Sequence, residues 1–312
     1  MNIKNCRICD QKLTEQIIIK EMQLGLREDF SYGVCSNCGC IQIMEVPADM
    51  EKYYPAYYAP FNAKAPVLRK LPLFKRMVKN IRIRRKYKQG KSVLLNYFKA
   101  MGTSTNAKIL DIGCGNGVLI CDLYNQGFNH VEGVDKFLPH EIDYGHGVKV
   151  LKKDLSEFKG DNYDVLMMHH VLEHVEEQAE ILNECHRLLK QDGNLMVRIP
   201  IVGEAYKIYA EKWVQLDAPR HFFIHTLNSM AVLAKKTGFL IKDVVFDSGF
   251  FQFAGSEMYE KNIPLHDPIS RKPNYFDKYF SEKEIENFGK RAEELNANGT
   301  GDQAIFYLKK AK

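Results

Sequence analysis

No stretch of this sequence approaches the ~20 consecutive apolar residues that span a bilayer. The opening MNIKNCRICD also lacks the apolar core of a secretory leader. Both absences point to the cytoplasm, where eight cysteines are expected as thiols or metal ligands rather than disulfides. There is one tryptophan, no internal repeat and no low-complexity tract. Acid is missing from one place: Tyr53 to Leu110 holds no Asp or Glu against 14 Lys or Arg. The formal net charge of +5 is therefore local, because the rest of the chain holds 30 basic against 39 acidic residues. At 312 residues, 45% hydrophobic and 27% charged, the chain has the make-up of a soluble protein with one large domain and a smaller one.

The cysteines that are present are spaced to a purpose. Cys6-Arg-Ile-Cys9 and Cys35-Ser-Asn-Cys38 form two Cys-x2-Cys knuckles with 25 residues between them. Two such knuckles bring four thiolates around one tetrahedral ion, so Cys6, Cys9, Cys35 and Cys38 are read as structural zinc ligands, with Cys40 a possible substitute. The flanking LTEQIIIKEMQL and CIQIMEV read as short strands, giving a zinc-ribbon-like module over 1–48. A closed four-thiolate site holds a small module together and leaves no position for catalysis.

Residues 49–95 read as a connector. EKYYPAYYAP is tyrosine-rich and broken by Pro55 and Pro60; Tyr53, Tyr54, Tyr57 and Tyr58 are placed either as a lid on a bound cofactor or as packing between domains. Leu71, Phe74, Val78 and Ile81 then make an apolar helical stripe with Lys and Arg opposite. The plain reading is a linking helix with a solvated basic face; the sharper ones are a membrane-surface helix or a grip on a phosphate-bearing partner.

From 96 to 312 strand and helix patterns alternate. AKILDIG, HVEGVD, VKVLKKD, YDVLMMH, NLMVRIP, IKDVVFD and QAIFYLK read as strands, with helices between the first five, such as VEEQAEILNECHRLLKQDG. SMAVLAKKTG is another helix, stopped by Gly238. Alternation predicts an α/β fold: a doubly wound, mostly parallel Rossmann-like sheet, with a long insertion over 249–300 before the last strand.

The turn after the first of these strands, ILDIGCGNG, places Gly113, Gly115 and Gly117 at alternate positions. Bare backbone there admits a ligand at the carboxyl end of the sheet. The spacing departs from the Gly-x-Gly-x-x-Gly of dinucleotide sites, and Asp111 before it disfavours a pyrophosphate while suiting a cation. Asp135 ends the second strand, where a carboxylate accepts from ribose hydroxyls; Asp154 ends the third, with Leu155 beside it for a base.

ILDIGCGNG, VEGVD, KKDL, YDVLMMHHVLEHV and RLLKQDGNLMVRIP stand in the order and at about the spacing of the class I S-adenosylmethionine-dependent methyltransferases, which the chain resembles over about 200 residues. The resemblance implies a seven-stranded sheet whose last strand, GDQAIFYLKK, is antiparallel. It implies S-adenosylmethionine bound by Asp111, Gly113, Gly115, Gly117, Asp135, Asp154, Leu155 and His169. WVQLDAPRHFFIHTLNSMAVLAKKTGF also resembles a bacterial branch associated with sugar and surface-polysaccharide pathways, and a Cys-x2-Cys pair ahead of such a domain resembles the deoxysugar C-methyltransferases.

Methyl transfer needs a positioned acceptor and, for a weak nucleophile, a base. His170, Glu173 and His174 fall where the fourth strand ends, and His221 and His225 follow in DAPRHFFIH. His170 and His221 are read as bases in the acceptor pocket, with Glu173 and His174 either catalytic or bracing the next helix. His170, Glu173 and His174 also spell an inverted zinc-protease motif, a reading set aside because the motif ends a Rossmann strand. Arg220 pairs with an acidic acceptor or with Asp217, and Trp213 is placed against the acceptor. The expected reaction is transfer to a hydroxyl of a sugar, sugar nucleotide or related metabolite. The alternatives are an RNA methyltransferase, which would use the zinc module and basic connector, or a non-catalytic cofactor-binding scaffold.

Overall fold

A computed structural model describes residues 5–55, 68, 93–160 and 162–311. The apolar stripe of the connector and its Tyr57 and Tyr58 lie outside the described residues. At the N-terminus stand β1 (Glu15–Lys20), β2 (Asp29–Val34) and β3 (Ile41–Ile43). After the connector come α1 (Val93–Ala100), β4 (Lys108–Ile112), α2 (Val118–Asn125), β5 (His130–Val134), β6 (Ile142–Gly145), β7 (Val148–Leu151) and β8 (Tyr163–His169). Next are α3 (Gln178–Leu188), β9 (Leu189–Pro200), α4 (Glu204–Tyr209), β10 (Phe223–Ile224) and α5 (Leu227–Lys236). The chain closes with β11 (Phe239–Phe246), α6 (Phe251–Glu260), α7 (Glu282–Ala297) and β12 (Gln303–Lys310).

The large sheet runs β11-β12-β9-β8-β4-β5-β7-β6. Pairs from β7 through β9 are parallel, while β12 lies antiparallel to both β9 and β11, as expected of the last strand. The expected count of seven is corrected to eight. Ile142-Asp-Tyr-Gly forms an edge hairpin with β7 through a turn in which Gly145, His146 and Gly147 all have positive φ. Four largely polar residues gave no hydrophobic run by which to read this strand. Its Tyr144 hydroxyl donates to the Asn116 carbonyl, so the extra strand braces the glycine turn.

Side chains alternate across a strand, and here each face has its own core. Leu110, Ile112, Leu166 and Met168 meet Leu182, Cys185 and Leu188 of α3 and Met230 and Leu233 of α5. Ile109, Val165 and Met167 meet Phe98 of α1 and Ile120, Cys121 and Leu123 of α2. Both faces being covered, the strands carry near-continuous apolar runs such as VLMM in β8. A capping box starts α5: Thr226 Oγ1 accepts from the Ser229 N–H, and Ser229 Oγ from the Thr226 N–H. Helix α3 is shorter than the periodicity predicts, because Leu189 already pairs with Tyr163 in the β8–β9 ladder.

The small sheet runs β1-β2-β3-β10, so a strand from the second half of the chain completes the cysteine module. Phe223 pairs with Gln42 and Ile224 with Ile41. Both β10 side chains are fully buried, each worth about 1.5–3 kcal/mol of apolar burial, which ties the module to the large domain. Among the described residues no helix is long and apolar enough to cross a membrane.

Candidate functional site

The glycine turn sits at the carboxyl end of β4. Gly113 and Gly117 hold φ of 67° and 78°, a region in which a side chain is strained. A Cβ on Gly113 would stand 2.6 Å from Cγ2 of Val171, just after β8, and one on Gly117 2.7 Å from Cγ2 of Val150. The turn is thus wedged between the ends of β7 and β8, leaving its backbone bare.

Asp111 and Asp135 flank this turn. Asp135 accepts from the Gly115 N–H (3.0 Å) through one oxygen and from the Phe137 N–H (2.9 Å) through the other. A carboxylate has about four acceptor sites, so each oxygen retains one for a hydroxyl. Asp111 is buried; that burial, and then the Asp135 carboxylate, push its pKa up to about 8. Two interacting carboxylates behind bare glycine fit a ligand bearing an ammonium and a sulfonium, because a cation relieves their mutual repulsion. Phe137, which the sequence reading passed over, holds its ring 75% exposed just after Asp135, where a planar base can lie on it. The signal was an aromatic residue two positions beyond Asp135.

Asp154 and Leu155 follow β7. The Asp154 carboxylate caps the short turn Leu155–Glu157, accepting from the Ser156 N–H and Oγ, and these bonds hold its pKa below the usual carboxylate range. Leu155 is buried in the core.

At the end of β8 the histidines part ways. His169 packs 6.4 Å from the Tyr97 ring; its buried Nε2 has no partner among the described residues, and burial drives its pKa down to about 3. His170 takes φ of 53°, a left-handed conformation costing on the order of 1 kcal/mol, which turns its ring out of the strand. Its Nδ1 lies 3.0 Å from Oε1 of the fully buried Glu173, and its Nε2 lies 2.8 Å from Nη1 of Arg198 on β9. Guanidinium only donates, so Nε2 accepts and the proton sits on Nδ1, donating to Glu173. Arg198 also binds Asp247 through Nε at 2.6 Å, and Tyr97 donates to the same carboxylate at 3.0 Å. Glu173–His170–Arg198–Asp247–Tyr97 is one connected chain of polar contacts beside the glycine turn. Arg198, Asp247 and Tyr97 come from β9, the end of β11 and α1, so no local spacing in the sequence announces them.

Glu173, His174 and His221 are brought together behind His170. The His174 and His221 rings stand 4.7 Å apart edge to face. Glu173 carries a pKa lowered to about 2: its hydrogen bond from His170 and the surrounding imidazoles outweigh the opposing effect of burial. Tyr54 Oη lies 3.3 Å from His174 Nδ1, while Tyr53 donates to Glu28 and packs on Phe30, so these two connector tyrosines serve different neighbours.

Two expectations are corrected and one open choice is decided. His225 is fully buried with Nδ1 on Ser229 Oγ and Nε2 on Gln178 Oε1, a core histidine rather than a base. Trp213 is fully buried, donates to Asp302 at 2.9 Å and faces Tyr206 edge-on, so its ring presents no surface to an acceptor. Arg220 takes the plainer of its two options and pairs with Asp217.

In the N-terminal module the Sγ atoms of Cys6, Cys9, Cys35 and Cys38 all lie within 4.8 Å of one another, with Cys6–Cys38 at 3.6 Å and Cys9–Cys35 at 3.5 Å. Thiolates about 2.3 Å from a tetrahedral zinc stand about 3.8 Å apart, so the four fit that ion. Cys40 is buried beside them, its Sγ directed at the Ile41 carbonyl.

Residues 81–243 match the family described as methyltransferase domain, just over half of the chain. The ubiquinone biosynthesis O-methyltransferase of Pseudomonas aeruginosa is 27% identical over 169 residues, 48% of this chain and 72% of that protein. The enzyme of the same name from Maricaulis maris is 34% identical over 132 residues, 36% of this chain and 49% of that protein. A crystal structure of an S-adenosylmethionine-dependent methyltransferase from Archaeoglobus fulgidus aligns with a TM-score of 0.41 at 20% identity, covering 75% of this chain and 94% of the other. With its glycine turn, its carboxylate pair and this match, the chain belongs to the methyltransferase-domain family and is an S-adenosylmethionine-dependent methyltransferase.

Proposed function

We propose that the enzyme methylates a hydroxyl oxygen of a small-molecule acceptor and that His170 is the base. The observation that carries this reading is the His170–Glu173 contact of 3.0 Å, beside the turn expected to hold the methyl donor. Asp111, the glycine turn and Asp135 would hold S-adenosylmethionine, with Phe137, Asp154 and Leu155 toward the base and His169 near the methyl end. When bound, it supplies a methyl carbon activated by positive sulfur.

Glu173 fixes the tautomer of His170 and would stabilise the imidazolium, the role of the orienting carboxylate in an acid–base dyad. In the resting arrangement Nε2 is held by Arg198. An acceptor hydroxyl takes that place, and Arg198 keeps its bond to Asp247. As the acceptor oxygen takes the methyl group that the bound donor would supply, its hydroxyl proton would pass to Nε2 of His170. His170, with 37% of its side chain exposed, reaches solvent; His221, at 8%, lies behind it with His174.

Transfer to oxygen is what the curated relatives' names support. A sugar or sugar-nucleotide acceptor rests on the resemblances of residues 213–239 and of the N-terminal Cys-x2-Cys pair. An RNA acceptor draws on residues 56–92, outside the described residues. Incubation with methyl-labelled cofactor against sugar nucleotides, phenols and RNA tests the acceptor class. His170→Gln is expected to lower kcat by about 10²–10⁴ with S-adenosylhomocysteine affinity unchanged. Unaltered turnover in that variant would remove His170 as base.

A further inference from the structure

His170 is not alone at the point where an acceptor hydroxyl would stand. In the β8–β9 ladder His169 faces Arg198, and the Arg198 carbonyl accepts from the His170 N–H at 2.9 Å, so both side chains leave neighbouring strand ends together. Arg198 Nη1 then reaches 2.8 Å from His170 Nε2. Two nitrogens that close can each stand about 2.8 Å from one oxygen placed between them. One is an acceptor and the other a donor. A hydroxyl there gives its proton to Nε2 and receives a hydrogen bond from Nη1.

Each arm has a carboxylate behind it. Glu173 Oε1 lies 3.0 Å from Nδ1 of His170, and Asp247 Oδ2 lies 2.6 Å from Nε of Arg198. Asp247 is itself fixed from two further elements. Tyr97 of α1 donates to Oδ2 at 3.0 Å, and Gln303 of β12 donates to Oδ1 at 2.9 Å and to the Asp247 carbonyl at 3.0 Å. Burial, and then the Asp247 charge, push the Tyr97 hydroxyl up to about 12, so it stays protonated and keeps donating. Glu173 is fully buried and the Asp247 side chain is 18% exposed, while His170 reaches solvent. A Cβ on Gly249, two residues past Asp247, would meet nothing within 4 Å, so the chain leaves space on this side. A guanidinium that served only to tie β9 to the end of β11 would need no donor on the one lone pair that the base uses.

We propose that Arg198 is a second catalytic residue. Its Nη1 stabilises the negative charge that develops on the acceptor oxygen as the proton passes to His170, and Asp247, Tyr97 and Gln303 are the residues that position it. Donors fixed before the reaction stabilise such charge better than water that must reorient. The proton moves from oxygen to Nε2, the charge left on oxygen faces the guanidinium, and it is discharged when the oxygen takes the methyl group. Two cations, each with its own carboxylate, thereby bracket one oxygen. This role rests on the reading of His170 as base and deepens it.

4-Nitrophenol and chlorinated phenols of graded acidity serve as probes. Each is titrated into the full chain saturated with S-adenosylhomocysteine, and absorbance reads whether the bound phenol is ionised. The expected result is binding as phenolate, with a ratio of ionised to neutral form at least about tenfold above that of the free phenol at the same pH. Arg198→Met loses that excess. Asp247→Asn loses part of it, and Arg198→Lys, which keeps the charge without the planar fork, retains part. S-adenosylhomocysteine affinity stays unchanged in all three. Should Arg198→Met not fold, the other two variants decide. The proposal is overturned if no phenol binds, if the bound phenol is neutral, or if the excess survives undiminished in the folded variants. Loss of the excess in Arg198→Met beside normal turnover in His170→Gln would remove the base and leave Arg198 its charge-stabilising role. An inactive His170→Gln beside an undiminished excess would remove Arg198 alone.

Discussion

Gly113 and Val171 interlock: the place a Cβ would occupy on the glycine is 2.6 Å from a methyl of the valine. Through that contact the glycine turn after β4 and the histidine loop after β8 are one unit. Gly113→Ala meets both the φ of 67° and this clash, and is expected to destabilise the protein by about 2–4 kcal/mol. S-adenosylhomocysteine affinity should fall at least about tenfold by calorimetry. Adding Val171→Ala should restore part of the stability, though not the φ penalty; no recovery would show that the contact is not the cause.

Asp111 should couple cofactor binding to pH. Its pKa is pushed up to about 8, so the cofactor-free protein holds a proton there below that pH. A bound cation favours the ionised form and expels it. S-adenosylmethionine affinity is expected to rise from pH 6 to pH 8, with proton release visible as a buffer-dependent heat. Without ligand the same residue makes stability fall as pH rises from about 4 to 8, because the unfolded chain ionises first. Asp111→Asn should abolish the released proton; a buffer-dependent heat that persists would assign it elsewhere.

Trp213 tests packing against substrate contact. Trp213→Phe removes the donor to Asp302, whose other oxygen is already buried without a partner among the described residues and whose burial lifts its pKa to about 7. The loss is expected to be about 1–3 kcal/mol in denaturant unfolding, with acceptor KM unchanged once the acceptor is found. A raised KM at unaltered stability would return Trp213 to the acceptor pocket.

Acid should unfold the protein partly through buried neutral imidazoles. Burial lowers His225 to about 4 and His169 to about 3, against about 6.5 in an unfolded chain. Unfolding therefore binds protons as pH falls below 6.5, and stability drops progressively from there toward pH 4. His225→Gln should flatten that pH dependence in thermal melts, even if it lowers Tm at pH 7.

What the sequence determined by itself is what local spacing can encode. Apolar runs specified β4, β5, β7, β8, β9, β11 and β12, knuckles of two intervening residues specified the cysteine cluster, and glycines beside acids at successive strand ends marked the candidate donor turn. These features survive in one dimension because each is written within a few residues of chain. Only the tertiary structure decided the rest. It placed Arg198, Asp247 and Tyr97 from three separate elements in line with His170, and it sank Trp213 and His225 into the core. It also paired β10 with β3, uniting the module with the large domain, and turned Glu173, His174 and His221 toward one point. Distances between groups far apart in the chain are set by how the sheet's two faces are covered, and packing of that kind has no period for a sequence to show.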